Sequence, residues 1–225
     1  MKNFRYLLLY IFLAPFILFN NQCAKTKDVE LINDNTDSTG NNLDSSGNNV
    51  DTIYYGFVLN EVLYDPPSGL DGDANGDGVR DPNDDEFVEF VNDTDSIMDL
   101  SGYKIYDATR LAAGTPNHEF PESTLINPGQ AVVVFGGGTP SSNFGGAQVF
   151  TASNQVLNLN NAGDMMTFTD SSGNMVIEFD VTPLSGNPDE SYTRYPDVTG
   201  DFVQHASAVD GVLYSPGTRV DATSF

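Results

Sequence analysis

Between Asp73 and Asp84 the chain reads DANGDGVRDPND, which sets four aspartates, two asparagines and two glycines in twelve positions. Carboxylates and amides at every second residue offer hard oxygen donors, and the chemistry of such a set is cation binding. With Asp73 at position 1, Asn75 falls at 3, Asp77 at 5, Gly78 at 6, Val79 at 7, Asp81 at 9 and Asp84 at 12. Positions 1, 3 and 5 turn side-chain oxygens toward one centre, and position 7 needs only a backbone carbonyl, which valine supplies. Position 9 acts through water, position 12 closes the cage, and glycine at 6 permits the sharp turn between them. A frame begun at Asp71 would put Pro82 at position 12 and lose the closing carboxylate.

This is the ligand spacing of an EF-hand-type calcium loop. Its terminal aspartate, in place of a bidentate glutamate, resembles the dockerin version. Oxygen-only donors favour Ca²⁺ over zinc or copper, and the number of ligands favours it over Mg²⁺. The expected ligand set is Asp73, Asn75, Asp77, Val79, Asp81 and Asp84. The bland alternative is a solvated acidic loop. Against it stands the length of the connection from Tyr64 to Glu86, since loops of about twenty residues without structure are uncommon in compact domains. Without a cation, Asp71, Asp73, Asp77, Asp81, Asp84, Asp85 and Glu86 would repel one another. With one, binding free energy becomes folding free energy. The expected role is structural: the ion braces the loop and fixes where the following strand begins.

The flanks of the loop have no helical periodicity, so helix opening of the sensor kind does not follow. From Tyr54 onward, short runs rich in Val, Ile, Phe and Tyr alternate with Gly, Pro, Asn and Asp clusters, the pattern of an all-β domain. Strands are expected near 55–64, 86–92, 102–107, 117–120, 130–135, 147–150, 155–159, 164–169 and 174–181, with a last pair near 191–195 and 201–205. DSSGN at 170–174 reads as a hairpin turn and NPGQ at 127–130 as another turn. The unbroken apolar run AVVVF that follows suggests a strand covered on both faces. DATRLAAG at 107–114 is the best short-helix candidate. About ten short strands point to a β-sandwich, and 15 Phe and 10 Tyr, with no Trp, are available to fill it.

The 225-residue chain carries 32 acidic and 9 basic residues, a net charge of −23. A field of that sign repels nucleic-acid backbones and anionic headgroups, so no nucleic-acid partner is expected. Residues 1–22 read as a signal peptide. Lys2 and Arg5 precede the apolar stretch YLLLYIFLAPFILF at 6–19, which is too short for a span of about 20 residues. Its removal would take the charge from −23 to −25. Cys23, the only cysteine, follows directly, and its placement resembles the lipid-attachment cysteine of bacterial lipoproteins. The preceding Asn20-Asn21-Gln22 departs from the small residues usual there. A secretory signal cut nearby, leaving an incidental thiol, is the alternative, and an uncleaved anchor the next. Residues 23–53 are polar and aperiodic and are expected to form a disordered tether, leaving 54–225 as the folded domain.

Within that domain VLNEVLYDPP (58–67), DEFVEFVN (85–92), DLSGYKIYD (99–107), HEFPESTLINPGQAVVVFG (118–136), LNLNNAGDMMTFTDSSGNMV (157–176) and YSPGTRV (214–220) follow one another in an order that resembles a lamin tail domain of the bacterial kind. Tyr103 stands where a tryptophan is frequent. The resemblance implies an immunoglobulin-like β-sandwich. In bacteria such domains occur in exported proteins, alone or beside hydrolases, as attachment or interaction modules.

Other constellations are weaker. His118 and His205 lie in no nucleophile–base motif and are expected to be structural. FGGGTPSSNFGG at 135–146 lacks the lysine of a phosphate loop and reads as a mobile inter-strand loop. Glu61 and Glu89, on neighbouring strands, invite a glycosidase comparison. More simply, they face solvent or make structural hydrogen bonds. Tyrosines 54, 55, 64, 103, 106, 192, 195 and 214 are expected to be mostly core or half-buried. The sequence therefore leads to a non-catalytic module of the cell envelope, anchored to membrane through Cys23, facing an envelope protein or polysaccharide, with structural calcium. An exported hydrolase or its accessory domain, and a carbohydrate-binding module, are the rivals.

Overall fold

The computed structural model describes residues 27–28, 56–184, 186 and 189–225. Cys23, the apolar leader and nearly all of the 23–53 tether lie outside the described residues. From that tether only β1 (Lys27–Asp28) is described, paired antiparallel with Ile177 and Glu178.

The remaining strands are β2 (Phe57–Leu63), β3 (Phe87–Asn92), β4 (Met98–Asp99), β5 (Lys104–Tyr106), β6 (His118–Glu119), β7 (Leu125–Ile126), β8 (Ala131–Phe135), β9 (Gln148–Thr151), β10 (Met165–Thr169), β11 (Met175–Asp180), β12 (Tyr192–Tyr195) and β13 (Asp201–Gln204). They form a six-stranded sheet in the order β13-β12-β2-β3-β8-β9 and a five-stranded sheet in the order β1-β11-β10-β5-β6, with β4 and β7 as a separate pair. Among the described residues helices are confined to α1 (Ala108–Ala113), α2 (His205–Ala208) and three short 3₁₀ turns.

The two sheets meet through alternate residues. Val88 and Phe90 of β3 and Val132 and Val134 of β8 point into the core against Ile105, Met166, Phe168 and Phe179 of the other sheet. Phe90 and Phe168 meet across the gap as a tilted pair with centroids 4.9 Å apart. Burying such rings is the main stabilising term, about 25 cal/mol per Å² of apolar area. On the opposite face of the six-stranded sheet a second cluster, Leu63, Phe87, Val133, Phe135 and Phe144, is also buried. All five residues of β8 are covered, as the unbroken run AVVVF suggested.

Strand β2 carries a bulge that sets its phase. Leu59 pairs with Phe90 and Glu61 with Glu89, so Asn60 is the extra residue. Before it Phe57 and Leu59 face the core; after it Val62 and Tyr64 do. A bulge shifts the two-residue alternation by one, and here it turns Glu61 onto the outer face.

Local signals account for most of the elements. Asp107 caps α1 by accepting a hydrogen bond from the Arg110 amide at 2.6 Å, and Gly114 ends it at φ 67°. In NPGQ the Gln130 amide donates to the Asn127 carbonyl, with Gly129 at φ 71°. One expected strand, 155–159, does not form. Gln155 and Asn158 sit at φ 60° and 59°, a left-handed backbone that interrupts a ladder, while Leu157 and Leu159 still plug the core.

Candidate metal centre

The acidic loop leaves β2 through a 3₁₀ turn, Gly69–Gly72, and reaches β3 after Glu86. Inside it the aspartates cap backbone amides. Asp73 accepts from Asp77 N at 3.1 Å through Oδ1 and from Gly78 N at 2.9 Å through Oδ2. Asn75 Oδ1 accepts from Asp77 N at 3.0 Å, and Asp77 Oδ1 from Val79 N at 2.9 Å. Asp81 Oδ1 accepts from the amides of Asn83 and Asp84. Such turns are what Asx side chains do at short spacing.

Two residues outside the expected ligand set hold the loop closed. Asp85, fully buried, accepts from Asn75 N at 3.0 Å and Asp81 N at 2.8 Å, so one carboxylate ties the third position of the loop to the ninth. Burial, with Asp73 close by, pushes Asp85 above the usual carboxylate range. Arg80 reaches back to the start of the connection, donating to the carbonyls of Pro67 at 2.8 Å and Pro66 at 2.6 Å. The signal for Asp85 was its adjacency to Asp84. Nothing in the sequence marked the reach of Arg80.

The glycine-rich stretch, expected as a mobile inter-strand loop, forms a wall of this region. Gly136 N donates to Glu86 O, Gly137 N to Asp84 O and Thr139 N to Asp77 Oδ2, while Ser141 bonds the backbone carbonyls of Asn75 and Gly76. A Cβ on Gly137 would overlap Asp84 Oδ1. One on Gly138 would overlap the amide nitrogen of Asn75 and stand 2.7 Å from Asp77 Oδ2. Asn75, Asp77 and Asp84, which are positions 3, 5 and 12, are therefore brought against one glycine pair. Burial, and then Asp81 and Asp77, raise the Asp84 carboxyl above its usual value, a sign that these charges crowd one another. Asp73, Asn75, Asp77 and Asp84 are at most partly exposed. Val79 is 65 % exposed.

The donor set fits a hard cation in kind: every candidate side-chain ligand offers oxygen. The arrangement is not a finished cage. Among the described residues no group of three or more His, Cys, Asp or Glu side chains stands in a position to hold a metal ion.

Catalytic constellations fare as follows. His118 is buried between Phe120 and Phe150, with ring centroids 4.5 and 5.7 Å away, and burial lowers its pKa to about 4. It is a core side chain on β6. Glu61 and Glu89 do not face solvent. Both are fully buried and make structural hydrogen bonds, as the simpler expectation held. His205, at the end of the strand expected near 201–205, begins α2. Its Nε2 is 2.9 Å from Ser215 Oγ, and Ser215 Oγ is 2.8 Å from Glu61 Oε2. A serine, a histidine and a carboxylate thus converge, as a hydrolase would need. However, the Ser215 amide donates to Glu61 and the Gly217 amide to Glu89, so neither of these two N–H groups is free to stabilise an oxyanion. Ser215 itself is 8 % exposed, at the edge of an open cleft of about 440 Å³ between the acidic loop and the C-terminal segment.

Of the eight tyrosines singled out, Tyr54 and Tyr55 lie outside the described residues. Tyr64 is buried, Tyr103, Tyr106, Tyr192 and Tyr214 are half-buried, and Tyr195 is exposed.

Two packed sheets, with only two short α-helices among the described residues, define an immunoglobulin-like, all-β domain. The family model described as Lamin Tail Domain matches residues 56–182, more than half of the chain, and the chain belongs to the lamin tail domain family. No curated protein sequence matches it.

Proposed function

We propose that this protein is a non-catalytic interaction module, exported and tethered to the cell envelope through Cys23, whose acidic loop is braced by one calcium ion. The observation that carries the calcium reading is the gathering of Asn75, Asp77 and Asp84 against Gly137 and Gly138 in a loop with the full ligand spacing from Asp73 to Asp84. The Asp84 carboxyl, raised by burial and by its acidic neighbours, gives the loop an electrostatic cost that a cation would relieve. Calcium loading then requires the side chains to turn their remaining lone pairs inward from the amides they now cap. A site filled at a hundred times its dissociation constant adds about 2.7 kcal/mol of stability.

The engagement of the Ser215 and Gly217 amides by Glu61 and Glu89 supports a binding rather than a hydrolytic role. An envelope protein or polysaccharide is the proposed ligand class, contacted by loops at one end of the sandwich, an assignment made on fold analogy. Calorimetric titration of the chelator-treated protein with CaCl₂ tests the ion. A single site that vanishes in Asp77→Ala supports it, and no heat together with a melting curve unmoved by chelator refutes it. Mass spectrometry of the mature N-terminus tests acylation of Cys23, and a pull-down from envelope extracts with and without calcium tests the module.

A further inference from the structure

Beyond residue 182, where the family match ends, the chain adds β12 and β13 beside β2 and then crosses the outer face of the same sheet. There Tyr214 packs against Leu63, Phe87, Val133 and Phe135, a cluster that Ala74 of the acidic loop and Phe144 complete. The crossing covers two acids. Glu61 and Glu89 are register partners on adjacent antiparallel strands, so their side chains lie side by side, and both are 0 % exposed.

Every hydrogen bond from the crossing segment to this pair comes from a short stretch. Ser215 donates to Glu61 from its amide at 2.9 Å and from Oγ at 2.8 Å, and the Gly217 amide donates to Glu89 at 2.6 Å. Asn60 completes Glu89 at 2.9 Å and Ser191 completes Glu61 at 2.6 Å. Gly217 passes so close to the Phe144 carbonyl, and Gly145 to the Gly217 carbonyl, that neither glycine has room for a Cβ. The segment is clasped at its centre and crosses its neighbour by glycine contact.

We propose that residues 215–220 are a strap, clasped onto the sheet by the Glu61–Glu89 pair, that loosens as pH rises while the sandwich beneath stays folded. Two carboxylates held side by side away from water cannot both ionise cheaply. The charged groups facing them are His205 from α2 and Asp197 from the turn after β12, while Arg194 of β12, the register partner of the core residue Phe202, bonds the Leu59 and Gly200 carbonyls from the other face of the sheet. Burial raises both glutamates; Glu61 and Asp197 add repulsion at Glu89, whereas His205 partly offsets the rise at Glu61. A folded-state value raised above the unfolded one contributes stability at low pH that is lost as pH climbs through it. Lifting the strap admits water to both charges without breaking a β-ladder.

Hydrogen exchange of the full chain between pH 6 and 9.5, corrected for intrinsic rates, reads this directly. Protection at the Ser215, Gly217 and Val220 amides is expected to fall by about tenfold or more while β10 stays protected. Glu89→Gln keeps an acceptor for Gly217 but removes the second charge, so its strap protection should be flat across the same range. Strap protection that does not change with pH, strap and β10 falling together, or an E89Q profile like that of the parent would each overturn the proposal. Should E89Q fail to fold, the parent's own strap-against-β10 comparison decides.

Discussion

Tyr214 Oη donates to the backbone carbonyl of Asp71 at 2.7 Å, joining residues 143 positions apart and tying the C-terminal segment to the acidic loop. The phenol is half-buried beside Asp85, Asp73 and Asp71, and burial, reinforced by those charges, pushes its pKa up to about 12. Tyr214→Phe keeps the ring and removes the bond. The expected loss is about 1 kcal/mol in urea unfolding. Calcium in the loop would offset the three carboxylates and draw the Tyr214 value back down. Ultraviolet difference titration of the parent against Tyr214→Phe, with and without CaCl₂, measures that shift.

Asp84→Asn separates crowding from coordination. In ion-free protein the carboxylate is held up by burial and by Asp81 and Asp77, so neutralising it should leave the unfolding midpoint unchanged or slightly higher. In calcium the same change removes the closing ligand, and affinity should fall by about tenfold or more. Opposite signs in chelator and in calcium, read by thermal melts, are the expected signature. A loss of equal size in both would mean that Asp84 serves only the fold.

Gly138→Ala tests the glycine wall. The residue has φ 70°, and a Cβ would press on Asn75 and Asp77 together. Strain and displacement should cost about 1–3 kcal/mol and weaken calcium binding as well. Gly173, at φ 87° with open space around it, is the control: its alanine variant carries the backbone strain alone and should leave calcium affinity unchanged.

His118 makes the fold sensitive to acid. Its folded pKa is lowered to about 4 by burial, from 6.5. A histidine buried neutral contributes stability that is full above pH 6.5 and is lost as pH falls through 4, by about 3 kcal/mol across that window. His118→Leu should remove this part of the slope. Glu61 and Glu89 act in the opposite sense, so the measured quantity is the difference between the two proteins' stability–pH curves. Parallel curves would contradict the assignment.

Much of the architecture was legible locally. Strands β3, β8, β10 and β11 followed from alternation and turn chemistry, and α1 from its Asp107 cap and Gly114. The pair β4–β7 and helix α2 were not legible, because two- to four-residue elements carry no period. The 155–159 stretch looked like a strand because its leucines are core residues. Only the backbone shows that Gln155 and Asn158 break the extended path.

What the sequence determined by itself is what depends on neighbours along the chain: the oxygen spacing from Asp73 to Asp84, the strand alternation, the turns and the family pattern. What the tertiary structure decided depends on residues far apart. The extra residue at Asn60 turns Glu61 outward to meet Glu89, the glycines at 136–138 close on the acidic loop, and Ser215 and Gly217 return from the C-terminal region to cover the pair. A bulge and a long-range clasp leave no periodic trace, because their free energy lies in pairing across the sheet and not in the preference of any one segment.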